Sequence, residues 1–108
     1  MQTAGGQSKA ACWIRVAQTW TAHELPGLEP NGDSWAHAVV HVPWTLGEYT
    51  IVAGAAVDSQ ATRKPMTWDN VTNQPWSGHA LPTLNGGDGE ARGLFLPDGT
   101  PVRALYCG

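Results

Sequence analysis

The sequence predicts an all-β protein, a small antiparallel β-sandwich or barrel of about 5–7 short strands joined by long loops. Three observations carry this prediction. Thirteen glycines and eight prolines in 108 residues interrupt the chain too often for long helices. The clearest apolar patterns alternate with period two and are rich in β-branched and aromatic residues, as half-buried strands require. Near the C-terminus, Pro97-Asp98-Gly99 separates two apolar runs with the chemistry of a tight turn: fixed φ, a side-chain-to-backbone bond, then a residue that tolerates positive φ.

The elements follow in order. Residues 1–11 are small and polar and read as a flexible arm ahead of one β domain over 12–108. CWIRVAQTWT (12–21) alternates as a single strand, with Cys12, Ile14, Val16 and Trp20 toward the core and Trp13, Arg15, Thr19 and Thr21 outward. A long connection with Pro26, Gly27, Pro30 and Asn31-Gly32 leads to SWAHAVVHV (34–42), a strand ended by Pro43. Here Ala36, Ala38, Val40 and Val42 face the core, and Trp35, His37, Val39 and His41 the other side. GEYTIVAGAAV (47–57) is the third strand, and Gly54 within it marks a bulge or a close backbone neighbour. From Asp58 to Gly89 the pattern dissolves into one helical turn capped by Asp58 and one short strand within MTWDNVTNQPW. RGLFLPDGTPVRALYC closes the chain as a hairpin, with Pro101 at a sheet edge because it cannot donate to a ladder.

Composition excludes several classes of function. The net charge is −3, and the six Lys and Arg are scattered, so no basic stripe could track nucleic-acid phosphates. No apolar run approaches the roughly 20 residues of a membrane span. The first residues lack the basic start and apolar stretch of a secretory signal, so synthesis in a cytoplasm is expected.

His37 and His41 have a spacing that would suit two metal ligands on a helix. On a strand, four residues span roughly 13 Å. Two metal–nitrogen bonds of about 2 Å cannot close that gap. Ala38 also stands where the catalytic glutamate of an HExxH motif would be. The histidines therefore read as contact residues, and no metal or cofactor is expected.

Other catalytic patterns fail similarly. No GxSxG elbow accompanies the serines, and Asp33, Glu48, Asp58, Asp69 and Asp88 are dispersed. NGGDGE (85–90) lacks the lysine of a phosphate loop and reads as a flexible turn. Cys12 and Cys107 have no metal-binding spacing. They are either two small buried hydrophobes or a disulfide tying the first strand to the last.

The unusual feature is six tryptophans in so short a chain. Trp13 and Trp35 point away from the core side of their strands, while Trp44, Trp68 and Trp76 fall in or beside loops. With His37 and His41 they make up the candidate contact residues, since exposed aromatic patches mark interaction surfaces. The expectation is a non-enzymatic structural protein, a small virion component such as a capsid decoration or tail accessory subunit. It would form a homo-oligomer and dock on capsid or tail proteins of the same particle through these aromatics and its arm. The alternative is a carbohydrate-binding β-sandwich module in which surface tryptophans stack on a glycan.

Overall fold

The computed structural model describes residues 7–29, 32–44, 47–71, 74–83, 87–95 and 105–107. Within them the protein is all-β, with no helix. Its strands are β1 (Ala11–Val16), β2 (Thr19–Glu24), β3 (Ser34–Trp44), β4 (Gly47–Val57), β5 (Arg63–Val71), β6 (Ser77–Ala80), β7 (Gly93–Phe95) and β8 (Leu105–Cys107). A four-stranded antiparallel sheet in the order β3-β4-β5-β6 is the centre, and β1-β2 and β7-β8 form separate hairpins.

Residues paired across antiparallel strands share a face, so the register sorts the central sheet into two. One face carries Val52, Ala56, Met66 and Trp68, and it is covered by Leu25 and Ala10 from the N-terminal segment. Each large side chain buried there contributes about 1.5–3 kcal/mol. The indole of Trp68 is 0% exposed and its N–H donates to the Pro26 carbonyl at 2.6 Å. Gly78, its partner on β6, makes room for the ring, since a Cβ there would lie 3.0 Å from Trp68 Cδ1. The other face holds Ile51, Ala53 and Ala55, all buried. Segment 87–92 crosses it: Gly89 N–H donates to Arg63 O (2.8 Å) on β5, and Ala91 N–H to Gly54 O (3.0 Å) on β4. The result is a sandwich-like stack.

Gly54 occupies the close approach its position in the sequence predicts. The β3–β4 register shifts between Ala36 and Ala38, leaving His37 as a bulged residue. A Cβ on Gly54 would lie 1.9 Å from the Trp35 carbonyl oxygen. Only glycine fits there. The closing hairpin is also present, with Gly93 paired to Cys107 and Phe95 to Leu105; Pro97-Asp98-Gly99 and Pro101 lie outside the described residues.

Several expectations need correction. The run 12–21 is two strands, because the chain reverses at Ala17 and Gln18, whose φ values are +50° and +70°. A two-residue turn with both φ positive matches strand twist but favours Asn and Gly. Ala-Gln carries no such signal. The reversal pairs Arg15 with Trp20, so Trp20 joins the outward face and is 63% exposed instead of entering the core. The bulge at His37 similarly breaks the expected alternation of β3. Trp35 now shares a face with Ala38 and Val40, and His41 lies on the opposite face with an exposed Val39.

Residues 58–89 hold two strands, β5 and β6, where one was expected. Asp58 caps a hairpin turn instead of a helical one, accepting from the N–H groups of Gln60 (2.9 Å) and Thr62 (3.0 Å). The arm is also shorter than 1–11. Lys9 and Ala10 are buried. Ser8 N–H donates to Asp33 Oδ1 (3.0 Å), Ala10 N–H to Ser34 Oγ (2.9 Å), and Ser34 N–H to Ser8 O (2.8 Å). Residues 1–6 lie outside the described set.

Candidate functional site

The outer face of the β1–β2 hairpin is the most exposed aromatic surface among the described residues. Its rows, read from the register, are Ala11 beside Glu24, Trp13 beside Ala22, and Arg15 beside Trp20. Trp13 is 52% exposed, and the Arg15 guanidinium lies 6.0 Å from the Trp20 ring centroid. Two β-turn residues in the left-handed region thus decide the site: they bring Trp20 alongside Arg15 and diagonal to Trp13. The opposite face of the hairpin carries Cys12, Ile14, Thr21 and His23 toward the central sheet. From Trp13 the apolar surface continues into a groove of about 380 Å³ between β1 and β3, bounded by Ala36, Val39 and Val52. Val39 is 57% exposed at the groove's far wall.

The remaining residues nominated from the sequence are dispersed. Trp35 lies under the Arg63 guanidinium, 4.5 Å from the ring centroid. His37 bonds Glu90 through Nε2 at 2.6 Å. Trp44 is the last residue of β3, and its side chain lies outside the described set. Trp68 belongs to the core and offers nothing to a partner, because three segments close over it. His41 and Trp76 line one cleft of about 430 Å³ between the hairpin and the sheet. His41 Nδ1 shares a hydrogen bond with Thr50 Oγ1 at 2.8 Å, and its Nε2 is 3.5 Å from Glu48. Trp76 packs its ring 6.5 Å from that of His23, tilted by 51°.

One polar cluster joins three parts of the fold. The Glu90 carboxylate accepts from His37 of β3, from Arg63 Nη1 of β5 (3.4 Å) and from Arg92 Nη2 (2.9 Å). The Arg92 hydrogen bond, helped by His37 and opposed by partial desolvation, holds the Glu90 carboxyl below its ordinary value. This carboxylate straps segment 87–92 across β4.

Cys12 is a free thiol, half-buried against the sheet, and burial pushes its pKa up. Such a thiol is a poor nucleophile. Cys12 belongs to the first hairpin and Cys107 to the last, and the side chain of Cys107 lies outside the described set. Among the described residues no three His, Cys, Asp or Glu side chains gather as a metal site, and every buried side-chain nitrogen or oxygen has a partner. No helix of the described residues is long and apolar enough to cross a membrane.

No protein-family model, curated protein or solved structure matches this chain.

Proposed function

We propose that this chain is a non-enzymatic assembly subunit that docks through the outer face of its β1–β2 hairpin. The observation that carries the reading is the pair Trp13 and Trp20, exposed on one face of the hairpin with Arg15 between them. Large aromatics held on paired strands lose little conformational freedom on burial, and Trp and Arg commonly supply most of a contact's energy.

The occupant we propose is a second copy of the chain. Turning a second hairpin over about an axis along the strands sets Trp13 above the partner's Ala22 and Arg15 above the partner's Trp20. Large meets small, and cation meets ring. A two-fold contact requires this self-complementarity. The face alone is small against the roughly 800 Å² per partner of a stable interface. The groove to Val39 extends it. A virion surface, as a capsid decoration or tail accessory protein, is the setting proposed for such a subunit. That setting rests on sequence features, namely small size, low charge and the lack of a recognisable catalytic motif.

Among the described residues the tryptophans that reach solvent do not form one row. Trp13 and Trp20 lie exposed on the hairpin's outer face, and the half-buried Trp35 sits beneath Arg63 on the far side of the central sheet. This counts against a flat glycan platform built from them.

The test is the mass of the full-length protein in solution by light scattering, beside the double variant Trp13→Ser/Trp20→Ser. A discrete oligomer that becomes a folded monomer in the variant is the expected result. A wild-type chain that stays monomeric at high micromolar concentration would sink the proposal.

A further inference from the structure

The cleft between the hairpin and the central sheet has a use that docking through the outer face leaves unassigned. Its volume of about 430 Å³ falls within the roughly 300–1,000 Å³ of small-molecule sites. The hairpin contributes Thr21 and His23, the sheet contributes His41, Thr50 and Asn70, and Gln74 and Trp76 close one end. Hydroxyls, side-chain amides and imidazoles both donate and accept hydrogen bonds. A ligand matched to such a lining must also do both at several points.

Charge narrows the class further. Among the described residues of the lining Glu48 is the only carboxylate, it lies beside His41, and there is no lysine or arginine. A phosphate or carboxylate ligand would meet a carboxylate and, among these residues, no permanently charged cation to pair with. An ammonium ligand would find one tryptophan face where aromatic cages use several. A neutral sugar meets neither obstacle. Its hydroxyls suit the amides and imidazoles, and its C–H face suits Trp76 together with Ile14 and Pro75, which supply the apolar part of the lining.

We infer that this cleft binds a neutral monosaccharide unit, free or at the end of a glycan, between Trp76 and the polar floor of His41, Thr50 and Asn70. The two surfaces of the hairpin then have separate tasks, with sugar on the inner side and protein on the outer.

Calorimetric titration tests this with glucose, galactose, N-acetylglucosamine and their β-linked disaccharides, with inorganic phosphate and choline as contrasting probes. Saturable binding of at least one sugar, and of neither phosphate nor choline, is expected. Gln74 and Thr21 are exposed, so Gln74→Ala and Thr21→Val should leave the fold intact. Each should weaken binding roughly tenfold, the ordinary cost of one hydrogen bond to a ligand. The variant Trp13→Ser/Trp20→Ser should bind sugar as the wild type does, which separates this site from the docking face. Absence of saturable binding by every sugar would overturn the inference. So would binding that both cleft variants leave unchanged, or binding of phosphate or choline in preference to the sugars.

Discussion

Trp20 and Trp68 both sit within antiparallel strands, yet one is 63% exposed and the other is completely buried. The difference lies in what covers them. Trp68 is on a central strand, bordered by β4 and β6, and the connection after β2 lies over its ring and takes its N–H at Pro26. Trp20 is on the outward face of a hairpin that forms an outer layer. Alternation divides a strand into two faces. Coverage is a property of layers, and it decides which face becomes core.

The largest way to sharpen this contrast is Trp68→Ala. It should cost about 3–5 kcal/mol through the cavity it leaves, and it also strips the Pro26 carbonyl of its donor. Denaturant unfolding measures this, and a loss below about 1 kcal/mol, the size of an ordinary mutation, would break the comparison.

Gly54→Ala comes next. Its methyl group would meet the Trp35 carbonyl at 1.9 Å, so β3 must move away from β4 at the bulge. Overpacking of this kind costs about 1–3 kcal/mol, visible as a shift in the urea midpoint at unchanged slope.

Glu90→Gln should have a smaller, pH-dependent effect. A carboxyl whose folded pKa is depressed stabilises the fold above its unfolded value, and that contribution disappears as pH falls through the folded value. Glu90 is held below its ordinary value by Arg92 and His37. The wild type should therefore lose stability on acidification through and below the normal glutamate range, and Glu90→Gln should lose less. Urea midpoints between roughly pH 6 and 3 would show this; parallel profiles for the two proteins would contradict it.

The smallest stability effect belongs to the other end of the comparison. Replacing Trp13 and Trp20 by serine should change the stability of the monomer by no more than about 0.5 kcal/mol, although it removes the proposed association. Thermal unfolding of the variant beside wild type diluted until it is monomeric checks this, because association itself raises the apparent stability. A large loss would mean that the hairpin's outer face is part of the core after all.

Much of the fold was legible in local sequence. Period-two patterns located β1, β3 and β4, Gly54 marked the bulged, closely approached stretch of the β3–β4 pairing, and the closing hairpin was plain on both sides of its turn. The candidate site was legible only in part. Trp13 was outward by phase alone. Trp20 was missed because Ala17-Gln18 reverses the chain without a turn residue, and one unseen hairpin moves every later residue to the other face. The His37 bulge did the same to β3, separating Trp35 from His41. β6 was invisible because Ser77, Gly78, His79 and Ala80 carry no apolar alternation; it pairs through its backbone against β5.

By itself, then, the sequence determined that the chain is all-β, where several strands run, and that Gly54 marks a bulge or a close backbone neighbour. These are consequences of side-chain period and backbone sterics, which neighbouring residues decide among themselves. The tertiary structure decided which tryptophan is core and which is surface, that Cys12 packs against the central sheet, and that His41 and Trp76 share a cleft. Each of these depends on segments distant in the chain: Pro26 reaches Trp68 across 42 residues, and Glu90 joins His37 across 53. No local pattern encodes a contact whose two halves belong to different layers.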